Sequence, residues 1–72
     1  MKIHDDIIVL EYVGNHRPTF VRDAPMGYYA TDIHNATKFN TEIEAVRFAL
    51  GLKEEVVVRE VRVTYEYMRE DD

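Results

Sequence analysis

The residues that could carry out chemistry in this chain are few and scattered. The three histidines, His4, His16 and His34, do not stand at metal-ligand spacing from one another, and the chain has no cysteine. Asp32 precedes His34 by two residues, where a carboxylate could orient an imidazole. A small enzyme or ligand-binding domain would therefore depend on polar residues of the predicted loops and strands, namely Arg17, Tyr28, Asp32 and His34.

Carboxylates stand in pairs at both ends of the chain, as Asp5-Asp6 and Asp71-Asp72. General acid–base catalysis needs rigidly held carboxylates in a cleft, whereas chain ends fray, so we expect these pairs to be solvated charge. The sequence contains no nucleophile elbow, phosphate-binding loop, dinucleotide fingerprint or H-E-x-x-H motif. It therefore predicts a protein that is not an enzyme and has no catalytic, cofactor-binding or metal-binding residues.

Tyrosines and alternating charges are the more informative polar features. Tyrosine is common at protein interfaces because it combines a large apolar area with a polar tip. Adjacent residues of a strand point to opposite faces, so one tyrosine of the Tyr28-Tyr29 pair should be buried and the other exposed. Charges alternating along a strand either protect an edge from aggregation or bind a partner. The predicted partner-binding residues are Arg17, Tyr28, Tyr29, His34, Glu60, Arg62 and Glu66.

The charge balance favours a protein partner over nucleic acid. The net charge is −5, and residues 41–72 contain nine acidic and five basic side chains. An acidic chain repels phosphate backbones, so direct binding of nucleic acid is disfavoured and a basic or nucleic-acid-binding protein fits better. An acidic DNA mimic is an alternative, although basic residues interrupt the acidic ones.

Length and composition predict one small domain. The chain has 72 residues, of which 46% are hydrophobic, enough for a modest core across residues 1–72. The absence of cysteine gives no indication of an oxidising compartment. The first ten residues lack the long apolar run of a signal peptide, and no run reaches membrane-spanning length. We expect a cytoplasmic protein that does not associate with membranes.

The segment "ATKFNTEIEAVRFALG", residues 36–51, predicts a capped amphipathic helix. Thr41 and Glu44 form a capping box, Phe39 can pack as a hydrophobic staple, and Gly51 suits a left-handed position after the last turn. Helical spacing predicts an apolar face directed at a sheet, formed by Ile43, Val46, Ala49 and Leu50 and flanked by Ala45 and Phe48. On this interpretation the helix holds the fold together and contributes little to binding.

Four segments have strand character, at residues 7–13, 18–23, 28–32 and 57–68. The first two form a predicted hairpin around Gly14-Asn15. The last is apolar on both faces before Glu60, which predicts either cover on both sides or a bulge near Arg59. Residues 69–72 should form a frayed acidic tail. The fold class is therefore α+β in two layers, with one helix packed on a three- to four-stranded, mainly antiparallel sheet in the order β-β-β-α-β.

The pattern A-x-x-F-x-T-x-x-E-A-x-x-x-A starts at Ala36, follows a Tyr- and Thr-containing hairpin and precedes a Val- and Glu-rich strand. Over residues 14–52 the chain resembles small uncharacterised proteins encoded by phages and prophages of Gram-positive bacteria. The resemblance implies a context, because such accessory proteins often bind and inhibit a host protein, including defence systems. It supplies no catalytic residues.

Two hypotheses follow from these features. In the first, the chain is a non-enzymatic binding module that occludes a host protein through its sheet edge, its loops or its acidic C-terminal strand. In the second, it is a structural homo-oligomer, for example a homodimer, whose long terminal strand pairs with its copy because that strand exceeds its neighbours in length.

Overall fold

The computed structural model describes residues 2–66 and has the predicted α+β class, with one helix and a four-stranded antiparallel sheet. Tyr67, Met68 and the acidic tail 69–72 lie outside the described residues. The elements in chain order are β1 (Lys2–Tyr12), β2 (Phe20–Ala24), β3 (Gly27–Thr31), α1 (Glu42–Leu50) and β4 (Val56–Glu66).

The strands lie in the sheet in the order β3-β2-β1-β4, which differs from their order along the chain. β2 and β3 are joined by a two-residue turn, whereas β4 returns after α1 to the free side of β1. β1 and β4 pair antiparallel without interruption from Lys2↔Glu66 to Tyr12↔Val56. β4 is consequently an edge strand, and within residues 2–66 no strand pairs with its outer side.

β1 and β2 separate after one pair of residues, Glu11↔Phe20. The segment after β3 passes through the gap between them. The Thr37 amide donates to the carbonyl of Val21 on β2 at 3.0 Å, and the Phe39 amide donates to the carbonyl of Ile8 on β1 at 2.8 Å. These bonds satisfy backbone groups that the separation of the strands would leave without partners.

Both faces of the sheet are covered at its centre. On the face that we call the helix face, Leu10 and Val21 pack against Ala45 of α1. On the opposite face, which we call the loop face, Ile7, Val9 and Phe20 pack against other apolar side chains, which are those of Ile33, Ala36, Val61 and Val63. The two-layer prediction therefore describes the helix side correctly but misses the cover that the segment after β3 gives to the other side.

The long strands differ from the prediction in two respects. β1 begins at Lys2 rather than at residue 7, so Asp5 and Asp6 belong to a strand and do not form a frayed end. The unbroken register of β4 excludes the bulge that was one of the two interpretations near Arg59. The early part of β4 is apolar on both faces because Val56 and Val58 contact the helix-face core, while Val57 on the other face is half-buried.

The helix begins at Glu42 and ends at Leu50, as the capping pattern predicts. The Thr41 hydroxyl accepts a hydrogen bond from the Glu44 amide at 3.1 Å, while the Glu44 carboxylate accepts one from the Asn40 amide at 3.3 Å rather than from Thr41. The prediction of a left-handed Gly51 is wrong. Gly51 has φ −89°, and its amide donates to carbonyls of the last turn, so right-handed backbone continues past the helix end.

Candidate protein-binding site

The outer side of α1 carries an apolar stripe that faces solvent. Ile43, Val46 and Leu50 are 64%, 42% and 82% exposed, and their spacing places them on one side of the helix. The sequence predicts that these three residues pack on the sheet together with Ala49, whereas in the structure only Ala49 of that set contacts the core. Ala45 is fully buried on the opposite side, where Phe48 and Ala49 also contact the core.

The choice of face follows from side-chain size and from the neighbours of the helix. Six of the nine residues of α1 are apolar, so hydrophobic periodicity offers two competing faces. Ala45 lets the helix backbone approach Leu10 and Val21 closely, and Phe48 packs its ring 5.5 Å from that of Phe39. Burying the larger stripe instead would remove these contacts.

The sheet extends beyond its core as a two-stranded arm, formed by residues 2–6 of β1 and 62–66 of β4. All of residues 2–6 are exposed. On the side of the helix face, three cross-strand pairs line the arm. The closest atoms lie 3.9 Å apart in Lys2–Glu66, 3.0 Å in His4–Thr64 and 3.0 Å in Asp6–Arg62.

The Asp6–Arg62 pair perturbs the acidity of both groups. The hydrogen bond from Arg62 Nε lowers the pKa of the Asp6 carboxyl below its ordinary value, and the positive charge of Arg62 adds to the effect. The same hydrogen bond and the negative charge of Asp6 raise the pKa of Arg62, and the carboxylate of Glu60 raises it further. The arm thus has a polar, paired surface on one side.

The other side of the arm carries apolar residues and one carboxylate, that of Asp5, which lies opposite Val63. Ile3 and Tyr65 lie directly opposite each other in the register and are 42% and 55% exposed. Val63 continues this side toward the loop-face core, where it is half-buried. Since two paired strands have little stability of their own, an arm with exposed apolar residues gains from further contacts.

Within residues 2–66, the outer edge of β4 has backbone N–H and C=O groups that pair with no other strand, and these belong to alternate residues. The Val13 amide donates to the Glu55 carbonyl, and these two residues continue the β1–β4 register by one pair. Since hydrogen-bonded pairs alternate along an antiparallel ladder, the odd-numbered residues of β4 are those that bond to β1. The even-numbered residues of β4 point their N–H and C=O groups outward. Glu60 is one of these, stands opposite the aliphatic Ile8 and has no ion-pair partner among the described residues.

The predicted partner-binding residues do not form one site. Three of them lie on the helix-face side of β4, namely Glu60, Arg62 and Glu66. Tyr28 is half-buried and donates its hydroxyl hydrogen to Glu54, whose carboxylate raises the pKa of Tyr28. Tyr29 is 52% exposed on β3, as expected for one member of the tyrosine pair, whereas Tyr28, the member expected in the core, is only half-buried. Arg17 and His34 lie in the loops that follow β1 and β3.

Asp32 does not orient His34. Its Oδ1 accepts hydrogen bonds from the backbone amide of Asn35 at 3.0 Å and from the Asn35 side chain at 3.1 Å. The carboxylate therefore closes a turn, a common role for aspartate. Within residues 2–66, no three His, Asp or Glu side chains gather closely enough to hold a metal ion.

Comparison with protein-family models, with curated proteins and with solved structures returns no match to this chain. In the part of the chain that the structure describes, no helix has the length and apolar character needed to cross a membrane. Sequence reasoning missed the stripe, although the six apolar residues of α1 exceed what one face of a nine-residue helix can hold.

Proposed function

We propose that this chain is a non-enzymatic binding module that docks the outer stripe of α1 into an apolar groove of a partner protein. The observation that carries the proposal is the exposure of Ile43, Val46 and Leu50 on one helix side. Exposed apolar residues scattered singly are normal, whereas three on successive turns form the pattern by which a helix enters a groove.

Charged residues beside the stripe define the rim of the partner groove. Glu42 and Glu44 lie in the first turn of α1, and Arg47 lies in its last turn. A complementary groove would have basic side chains near the helix start and a carboxylate near Arg47. A basic rim also agrees with the net charge of −5.

The biological setting is part of the same proposal. The helix pattern of this chain resembles that of small phage proteins, so the partner would be a protein of a Gram-positive host, for example a component of a defence system. Binding alone would then inhibit or modulate that protein.

The stripe can be altered without touching the core. The double variant Ile43→Gln/Leu50→Gln keeps good helix formers at both positions, so its unfolding temperature should stay close to that of the parent chain. Met26→Gln is the matched control, because Met26 is 99% exposed in the turn between β2 and β3, away from α1.

The test starts with affinity capture from host lysate and continues with the purified partner. The double variant should weaken its binding by at least about tenfold, since each aliphatic side chain buried in a groove contributes about 1.5–3 kcal/mol. The Met26 variant should bind as the parent does. Equal affinity of the double variant, or the absence of any reproducible partner, would refute the proposal.

A further inference from the structure

We infer that the outer edge of β4 pairs with β4 of a second copy of this chain, antiparallel and about a two-fold axis at Val61. This dimer goes beyond the proposed function, since its interface does not include the stripe of α1. The sheet would continue across the axis through eight strands, in the order β3-β2-β1-β4 followed by the same four strands in reverse.

The length and hydrogen-bonding geometry of β4 permit this pairing. β4 runs from Val56 to Glu66, and Val61 is its central residue. An axis there places residue 56 opposite residue 66 of the partner, so every residue of the strand has an opposite residue. The even-numbered residues, whose N–H and C=O groups point outward, would form the hydrogen-bonded pairs.

Charge complementarity selects this register. With the axis at Val61, Glu60 lies directly opposite Arg62 of the partner subunit, and the same contact occurs a second time by symmetry. Moving the axis to residue 60 would place Glu60 opposite the partner's Glu60, and moving it to residue 62 would place Arg62 opposite the partner's Arg62. Like charges directly opposite each other are destabilising, so both shifted registers are disfavoured.

The surroundings of Glu60 favour an incoming cation. The residue opposite Glu60 on β1 is the aliphatic Ile8. Among the described residues, no cation of the same chain therefore forms an ion pair with the Glu60 carboxylate. Glu60 lines a shallow surface depression together with Ile8, Glu42 and Val58. The guanidinium of the partner's Arg62 would therefore approach two carboxylates, those of Glu60 and Glu42.

The pairing also covers apolar surface on the loop-face side. Tyr65, which is 55% exposed, would lie opposite Val57 of the partner subunit, and aromatic–β-branched pairs of this kind stabilise sheets. A two-fold axis perpendicular to a continuous sheet keeps equivalent faces on the same side. The helices of both copies would therefore lie on one side, each with its stripe directed outward.

Complementary charge reversals test both the edge and the register. Glu60→Arg places a positive charge opposite the partner's Arg62. Asp6→Asn/Arg62→Glu places a negative charge opposite the partner's Glu60, and its Asp6→Asn change removes a carboxylate that would otherwise face the introduced glutamate. Each variant should be a monomer by itself, whereas an equimolar mixture pairs opposite charges at both contacts and should dimerise.

The measurement is molar mass by light scattering and sedimentation over a range of concentrations. The parent chain should reach twice its monomer mass of 8.5 kDa, each variant alone should stay at 8.5 kDa, and the mixture should again reach twice that mass. The inference is overturned if the parent stays monomeric at every concentration, if either variant dimerises alone as the parent does, or if the mixture stays monomeric. A dimer abolished by Ile43→Gln/Leu50→Gln would instead assign self-association to α1 and overturn it as well.

Amide hydrogen exchange of the unaltered chain keeps the inference testable if a charge-reversed variant fails to fold. As concentration rises, exchange should slow at the even-numbered amides of β4, among them Val58, Glu60 and Thr64, because these would become hydrogen-bonded to the partner. The odd-numbered amides already bond to β1 and should change less. Exchange at the even-numbered amides that is independent of concentration would refute β4 pairing.

Discussion

At the scale of single residues, the polar groups of this chain stabilise local geometry and cross-strand contacts. Asp32 closes a turn with Asn35, and Tyr28 joins β3 to the segment before β4 by donating to Glu54 and accepting from the Lys53 amide. The sequence identified these residues as polar and placed them in loops or strands. It could not identify their partners, because contacts such as Tyr28 with Glu54 depend on the return path of the chain.

The titration of Asp6 tests one of these contacts. Because the Arg62 hydrogen bond lowers its pKa in the folded chain, the pair contributes stability above the ordinary pKa of an aspartate and loses it as pH falls through the lowered value. Arg62→Gln should therefore raise the pKa of Asp6 toward its ordinary value, as followed by carboxyl NMR. Arg59→Gln is the control, since Arg59 bonds to Glu11. An unchanged Asp6 titration in the Arg62 variant would contradict the assigned cause.

At the scale of elements, sequence patterns located the helix and most of the strands but missed residues 2–6 of β1. The capping box fixed the start of α1 because a threonine hydroxyl and its amide partner lie within one turn. The same patterns assigned Ile43, Val46 and Leu50 to the sheet side of α1, where the structure places only Ala49 of the predicted face. Two faces of the helix are apolar, and only contacts with Leu10 and Val21 decide between them.

Two glycines provide a matched test of element ends. Gly27 has φ +137°, a conformation that an L side chain rarely adopts, while Gly51 has φ −89° and an added Cβ would meet only ordinary contact. Gly27→Ala should lower the free energy of unfolding by about 1 kcal/mol or more, and Gly51→Ala should leave it nearly unchanged or raise it slightly. Denaturant unfolding of both variants measures this. Equal losses would contradict the right-handed end of α1.

At the scale of the whole molecule, stability should fall from the core toward the arm. β1 contributes to both the core and the arm. Its residues Ile7 and Val9 are buried on the loop face, whereas residues 2–6 are exposed. β1 and β2 separate after one pair of residues, and segment 37–39 lies between them. The core therefore lies around the middle of the sheet.

Hydrogen exchange in dilute protein should reveal this gradient. The amides of Ile3 and Asp5 bond to the same strand as those of Ile7 and Val9, so burial is the main difference between the two sets. Ile3 and Asp5 should exchange at least about tenfold faster, because an arm without cover opens more readily than the core. Equal protection of all four amides, after correction for intrinsic rates, would show that the arm unfolds together with the core.

The sequence by itself determined the α+β class, the position and cap of α1 and the alternation along β4. These features depend on contacts between residues close in the chain, or on side-chain period alone. Only the tertiary structure decided which side of α1 faces solvent, that Asp5 and Asp6 belong to a strand, and that no strand of residues 2–66 pairs with the outer edge of β4. Each of these features depends on contacts with a segment that is distant in the sequence. Which distant segments come into contact is decided by the packing of the whole chain.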